Sequence, residues 1–228
     1  MKKTYLTLIT SLCSPFFVMP LEAHTGVYIG GQVGGGIGSV PVVTPFYDES
    51  ATPPATAINR SRLGVRGPVG GVHFGAGINF LKFGYVGLEF SHDWANIRAK
   101  ETRVYNLTGR VNYNPIKLSM NRTDSICAKL GAILKESFLL YLSFGAGYSK
   151  WKFESTIDTP YTKSKSLLGI IPGAGFSYAF TPHLLLGAEY KYAKYKELKA
   201  YQPSDSLNGP HKIKPSLHTL TLKVSWLI

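Results

Sequence analysis

Ser91, His92 and Asp93 follow one another in the sequence, so a nucleophile, a base and an acid are neighbours. A catalytic site would need the hydroxyl and the carboxylate within hydrogen-bonding reach of the imidazole. In a strand, however, neighbouring side chains point to opposite faces, so His92 cannot easily meet either neighbour. His218 has the same difficulty, and His73 has no adjacent serine or acid. These residues predict no catalytic site, and we do not expect an enzyme.

Metal and cofactor sites are not predicted either. Cys127 and the scattered histidines show none of the close spacings at which metal ligands occur. Glycine runs such as GGQVGGGIG lack the following helix and the Lys-Ser/Thr pair of a phosphate-binding loop. Small side chains on the inner face of a narrow barrel explain these glycines better.

Charged residues recur at alternate positions within otherwise apolar segments, and we interpret them as an interior charge network. They are Glu89, Lys129, Glu189, Lys191 and Lys223. A lysine that faced lipid at mid-bilayer would cost about 2–4 kcal/mol, whereas a buried charge is tolerated when it is paired. We therefore expect the charges to face inward and to pair, for example Glu189 with Lys129.

The segments that carry these charges alternate apolar and polar residues with a period of two, which is typical of strands. Eight such segments cover approximately residues 27–37, 72–80, 86–94, 126–134, 140–148, 168–180, 184–192 and 220–228. The predicted links alternate in length: residues 81–83, 135–137 and 181–183 are short, and residues 39–68, 95–115, 152–166 and 196–214 are long. This predicts an all-β fold, an eight-stranded antiparallel up-and-down transmembrane β-barrel with short periplasmic turns and four long extracellular loops.

A water-soluble β-sandwich would alternate in the same way, so it is the alternative fold. The nearly unbroken apolar face, the small or polar opposite face and the length of the strands favour the membrane barrel. Aromatic residues also cluster near both ends of the strands, as interfacial girdles would. We place Phe80, Phe138, Phe180 and Trp226 at the short turns, and Trp94, Tyr148, Trp151, Tyr192 and Tyr195 at the long loops.

The N-terminus has the form of a secretory signal peptide. A basic MKK start precedes a mostly apolar stretch and a small residue, Ala23. We expect residues 1–23 to be removed after Ala23, which leaves residues 24–228 as the barrel domain. The mature chain would then contain one cysteine, Cys127, so an internal disulfide is not expected.

The charge balance is basic, with 25 Lys and Arg against 13 Asp and Glu, and such a surface attracts polyanions. In a barrel the predicted loops carry much of this charge. The basic loop rim comprises Arg60, Arg62, Arg66, Arg98, Lys100, Arg103, Arg110, Lys199, Lys212 and Lys214. We expect it to contact lipopolysaccharide phosphates, or acidic glycans or proteins on a host surface, and no nucleic acid partner is expected.

The order and spacing of five segments resemble the OmpA-like and opacity-type eight-stranded outer-membrane barrels of Gram-negative bacteria. YIGGQVGGGIG is similar to their first strand, DSICAKLGAIL with FLLYLSFGAGYSKWKF to their fourth and fifth, and LLGAEYKYAKY to their seventh. LTLKVSWLI is similar to the last strand that the barrel-assembly machinery reads. The resemblance implies that Glu189 is the family's interior glutamate and that the assembly signal comprises Leu220, Leu222, Val224, Trp226 and Ile228. The terminal Ile228 departs from the family's usual aromatic residue.

The resemblance implies a protein of the bacterial outer membrane, reached after signal-peptide cleavage. We expect a surface antigen with a filled, polar, charge-paired interior that displays basic loops for structural or adhesion-type roles. The alternative is a small porin-like channel for ions or small solutes. A third possibility is a barrel enzyme that modifies lipid A, although the His-x-Ser-Asn pattern of known barrel deacylases is missing from the sequence.

Overall fold

The computed structural model describes residues 24–48, 55–80, 83–101, 104–105, 111–112, 116–155, 161–200 and 211–228. The predicted signal peptide, residues 1–23, lies outside these residues. The described part of the chain contains no helix long and apolar enough to cross a membrane. Its strands are β1 (Gly26–Asp48), β2 (Ala55–Phe80), β3 (Gly84–Glu101), β4 (Val104–Tyr105), β5 (Val111–Asn112), β6 (Ile116–Leu134), β7 (Phe138–Ser155), β8 (Tyr161–Ala179), β9 (Leu184–Tyr195), β10 (Leu198–Ala200), β11 (His211–Ile213) and β12 (Ser216–Leu227).

The long strands close into one antiparallel barrel in the circular order β1, β2, β3, β6, β7, β8, β9 and β12. Closure occurs where the first strand pairs with the last, from Tyr28 opposite Leu227 to Ser39 opposite Ser216. The predicted all-β fold of eight antiparallel strands is therefore confirmed. The predicted short turn at residues 135–137 connects β6 to β7, and its Lys135 and Glu136 adopt positive φ angles of 49° and 61°.

Within the barrel the two faces of each strand have opposite character. On β12, Leu220, Leu222 and Val224 are each more than half exposed on the outer wall, whereas Lys223 is only 6% exposed. Outward apolar side chains of this kind form the band that contacts lipid, and inward polar side chains fill the lumen. The period of two in the sequence therefore corresponds to lipid on one face and the barrel interior on the other.

The strands extend well beyond the limits that hydrophobic alternation predicted. Much of predicted loop 39–68 belongs to the hairpin of β1 and β2, and much of 95–115 and 152–166 also lies in strands. Predicted loop 196–214 contains the short strands β10 and β11. The strands are therefore longer on this side of the barrel than the alternation indicated, and the long connections consist in large part of paired strands. The physical reason is that these strands project past the lipid, so their outer faces carry polar residues and the apolar alternation stops on that side.

Above the membrane the barrel wall divides into two sheets. In the described register β2 pairs with β3 only from Arg66 opposite Arg98 downward, and β8 pairs with β9 only from Gly169 opposite Tyr195 downward. Beyond these points β2 remains paired with β1, β1 with β11 and β11 with β10, whereas β3 remains paired with β6, β6 with β7 and β7 with β8. The two groups of strands form two local sheets of the one barrel wall. We call this part of the protein the extracellular sandwich.

A single apolar core fills the space between the two sheets. It includes Val40, Leu63, Ile97, Leu118, Met120, Trp151, Phe153 and Ile213, all nearly inaccessible to solvent. Trp151 and Tyr195 point into this core and contact each other edge to face, with ring centroids 5.7 Å apart. Their assignment to the lipid-facing girdle was therefore wrong, because their positions in the strands have inward parity. Trp94 and Tyr148 do lie on the outer wall and are more than half exposed.

We expect Leu118→Ala to destabilise the protein by about 2–5 kcal/mol, because Leu118 is 1% exposed within the sandwich core and its removal leaves a cavity. Leu142→Ala is the control: Leu142 is 69% exposed on the outer wall, where lipid fills the vacated space. Urea unfolding in lipid vesicles measures both losses. Equal losses would contradict a packed core above the membrane.

Candidate functional site

The interior charges gather at one level of the barrel. Glu89 on β3 receives hydrogen bonds from Lys129 on β6 and Lys223 on β12, each with an N–O distance of 2.5 Å. Lys223 Nζ also lies 2.9 Å from Glu189 Oε2, and Lys191 Nζ lies 3.5 Å from the same oxygen. The structure thus brings together all five residues of the predicted network. The predicted direct pair of Glu189 with Lys129 is not the contact formed, because Lys129 pairs with Glu89 instead.

Neutral donors complete the coordination of the two glutamates. The Tyr28 hydroxyl donates to Glu89 Oε2 at 3.1 Å, and the Ser143 hydroxyl donates to Glu189 Oε1 at 3.0 Å. The Tyr28 side chain extends along the inner wall over Gly75 of the neighbouring strand β2, where an added Cβ would lie 2.6 Å from the phenol ring. Glycine at that position makes room for the tyrosine. These hydrogen bonds offset part of the cost of burying the carboxylates.

Asp93 is a further interior acid that the sequence analysis did not include in the network. It accepts a hydrogen bond from Gln32 Nε2 and lines a small cavity together with Lys191. With Glu89 and Glu189 it makes three acids, which balance Lys129, Lys191 and Lys223. The alternation in the sequence does indicate that Asp93 faces inward, since Asp93 has the same parity as Glu89. Its place at the end of predicted strand 86–94, beside His92, obscured this role.

The interior around the charged residues contains two small cavities. One cavity among Tyr28, Glu89, Lys129 and Lys223, and another beside Gln32 and Asp93, have volumes of about 30 Å³ each. A volume of this size accommodates roughly one or two water molecules. The site can therefore hold the strands together by ion pairing, and neither cavity has room for a substrate.

His92, His73 and His218 contact different partners and lie on different faces of the barrel wall. His92 Nδ1 bonds Asp124 on β6, on the outer wall beside Trp94, and not Ser91 or Asp93. Inside the barrel, His73 Nε2 lies 2.7 Å from the Ser225 hydroxyl. On the outer wall, His218 Nδ1 lies 2.6 Å from the hydroxyl of Tyr190. No group of three potential metal ligands occurs among the residues that the structure describes.

The predicted basic rim proves to lie largely on strands. Arg62, Arg66, Arg98, Lys199, Lys212 and Lys214 are exposed. Lys214 lies 3.3 Å from Glu197, and Lys199 stands directly opposite Lys212 in the pairing of β10 with β11. The side chains of Arg60 and Lys100 and the whole of Arg103 and Arg110 lie outside the described residues.

The predicted assembly signal occupies the outer face of β12. Its five residues, Leu220, Leu222, Val224, Trp226 and Ile228, are each more than half exposed to the lipid side. The end of the chain is held on both sides: the Ile228 amide donates to Val27 O at 2.8 Å, and the Leu227 amide donates to His183 O at 2.7 Å. The Trp226 indole stacks on His183 at 5.5 Å between ring centroids.

We expect Lys223→Met to destabilise the barrel by about 3–5 kcal/mol, because it leaves two buried carboxylates without their shared cation. The double variant Lys223→Met with Glu189→Gln removes one of those charges and should recover part of the loss. Urea unfolding measured in lipid vesicles checks both values. Lys194→Met, at an exposed position of β9, is the control and should change stability little. A Lys223→Met loss no larger than that of the control would contradict a stabilising network.

Comparison with known proteins supports the same architecture. The family model described as outer membrane protein beta-barrel domain matches residues 6–226. No single curated protein matches the sequence. The outer membrane protease OmpT of Escherichia coli has a similar structure, with a TM-score of 0.50, 8% identity, and coverage of 90% of this chain and 97% of that one. At that identity the likeness concerns the fold alone.

Two further outer-membrane proteins are also similar. Ail, the attachment invasion locus protein of Yersinia pestis, has a TM-score of 0.40 and 16% identity, with coverage of 86% of this chain and 98% of Ail. OprG of Pseudomonas aeruginosa has a TM-score of 0.44 and 14% identity, with coverage of 90% and 98%. The family model spans nearly the whole sequence, and the chain belongs to the outer membrane protein beta-barrel family.

Proposed function

We propose that this outer-membrane barrel is a non-catalytic surface protein that holds a rigid extracellular sandwich above the membrane for adhesion-type contacts. The observation that carries the proposal is the apolar core between the two extracellular sheets. Strands that merely connected membrane segments would not need a packed core outside the lipid. A packed core fixes the positions of surface side chains, and such preorganisation favours binding.

The chemistry of the sandwich surface favours acidic partners. Lys199 and Lys212 are both exposed and stand directly opposite each other in the pairing of β10 with β11, within the sandwich. Like charges directly opposite each other on neighbouring strands destabilise a sheet. An acidic glycan or an acidic protein patch on a host surface would relieve that repulsion. The lipopolysaccharide of the same membrane is the other polyanion within reach of the basic side chains.

Transport is the less favoured alternative. The ion pairs of Lys129, Lys191 and Lys223 occupy the lumen at mid-membrane, and the cavities of about 30 Å³ beside them are of water size. Conduction would require these ion pairs to open.

The proposal also includes the route to the membrane. Residues 1–23 are removed in the periplasm, and the barrel-assembly machinery recognises the last strand.

Retention on immobilised heparin tests the acidic-partner proposal. We expect Lys199→Gln with Lys212→Gln to elute at lower salt than the wild type, because two cations that would face the anion are lost. Lys150→Gln with Lys194→Gln, at exposed positions nearer the membrane, is the matched control with the same charge loss. Equal shifts for both double variants would overturn a specific role for the sandwich.

Conductance and lipid analysis test the rest of the proposal. In planar bilayers the wild type should give no steady openings, whereas a regular single-channel conductance would favour the transport alternative. Mass spectrometry of lipid A from expressing cells should show no new species. A lipid A species lost or gained only in expressing cells would contradict the non-catalytic proposal.

A further inference from the structure

A groove on the outer wall lies at the point where the barrel divides. It is lined by Gly35 and Ile37 of β1, Arg66 and Pro68 of β2, and Asn96 and Arg98 of β3, and its volume is about 520 Å³. Arg66 and Arg98 form the last pair of the β2–β3 register, and beyond them the two strands belong to different sheets. We call this feature the fork groove.

Two arginines face each other across the fork groove without an acidic partner. Arg66 and Arg98 stand directly opposite each other on neighbouring strands, and both are exposed. Neither takes part in an ion pair with any residue that the structure describes. Two residues farther along β3, the backbone register places Lys100 opposite Lys117 of β6. Directly opposed like charges cost stability, and that cost is removed when an anion lies between them.

The local backbone is shaped to keep this groove open. The register of β3 with β6 shifts between Trp94 and Ile97, so Asn96 lies in a bulge. Beside it, Gly67 passes so close to β3 that an added Cβ would lie 2.0 Å from the Asn96 carbonyl oxygen. Any side chain at position 67 would therefore displace the strand that carries Arg98.

The height of the groove relative to the membrane identifies the class of ligand. Trp94 is 56% exposed on the outer wall at the extracellular end of the apolar band. Arg98 lies four residues farther along β3, which for a tilted strand is roughly 10 Å above Trp94. That is the headgroup layer of the outer leaflet. Ile37, 65% exposed, and Pro68 give the groove an apolar side as well.

We propose that the fork groove binds a phosphate of a phosphorylated glycolipid of the outer leaflet, with Arg66 and Arg98 clamping the phosphate from two sides. Arginine suits this role because its planar guanidinium donates two parallel hydrogen bonds to phosphate oxygens. The lipid would bridge β2 to β3 where their own hydrogen bonding ends, and so hold the fork closed. This site depends on the outer-membrane location of the barrel and not on the proposed adhesion.

Binding of purified lipid A to the folded full-length barrel in neutral-detergent micelles tests the proposal. The probes are bisphosphorylated lipid A, the same lipid A after enzymatic dephosphorylation, and inorganic phosphate as a competitor. We expect Arg66→Gln with Arg98→Gln to weaken binding of the bisphosphorylated lipid about tenfold or more, because two charge-assisted contacts are lost. Arg66→Lys with Arg98→Lys should be intermediate, since the charge remains and the bidentate geometry does not.

The matched control is Lys150→Gln with Lys194→Gln, which removes the same charge from exposed positions of the outer wall outside the groove. We expect its loss to be about twofold or less, as for exposed charges screened by salt. Equal losses for the two double variants would overturn the site. So would equal wild-type affinity for dephosphorylated lipid A, since the contact would then involve only acyl chains. Competition by millimolar inorganic phosphate as strong as that by lipid A would also overturn a lipid site.

Thermal stability gives a second readout. The direction of the Tm change in the double variant distinguishes a lipid-binding role of the two arginines from a structural role. Without lipid A, Arg66→Gln with Arg98→Gln should be at least as stable as the wild type, because a like-charged pair is removed. With lipid A, the wild type should gain the larger increase in Tm. Heat-modifiable migration on a gel confirms that each variant is folded. If the double variant is less stable than the wild type without lipid, the arginines have a structural role and the proposal fails.

Discussion

A membrane-spanning sheet cannot leave a strand edge in lipid, because no water is present there to satisfy the exposed amide and carbonyl groups. In this protein the constraint is met by pairing of β1 with β12 from Tyr28 to Ser39. The hydrogen bonds at the last two residues extend the closure to the end of the chain. Closure in turn creates a lumen without bulk water, and the other features of the membrane region follow from that enclosure.

The lumen requires that its charges be balanced. Three acids and three lysines occupy it, and Lys223 contacts both Glu89 and Glu189. Lys191 on β9 and Lys223 on β12 both reach Glu89 on β3, so these two ion pairs connect strands that are not neighbours in the wall. These charges therefore act across the barrel, where backbone hydrogen bonds cannot, and the two cavities beside them are of water size.

Above the lipid the constraint on strand edges is lifted, because water can satisfy an exposed edge. The wall divides there, at Arg66 opposite Arg98 on one side and at Gly169 opposite Tyr195 on the other. The interior changes character at the same height. Polar and charged side chains fill the part within the membrane, and Leu118, Trp151 and Phe153 belong to the apolar core above it. The protein is thus a charge-stabilised barrel that continues into a conventionally packed sandwich.

The sequence alone determined the strand class, the number of strands in the barrel and which residues face inward. Lys223 between Leu222 and Val224 is the clearest case, because a period of two allows only one face for the lysine and lipid excludes it from the other. The same rule carries the inward assignment of Glu89 and Glu189. Trp151 was placed in the lipid-facing girdle because of its position near a strand end, although the same rule gives it inward parity.

Only the tertiary structure decided which residues meet across strands. Register decides that Lys129 pairs with Glu89 and not with Glu189. It also places Asp124 beside His92, and Arg66 opposite Arg98. Register joins segments far apart in the chain and shifts at bulges, so no local pattern encodes it. The extracellular sandwich escaped prediction for a related reason. Its core is assembled from short apolar stretches of many strands, and none of them is long enough to be recognised alone.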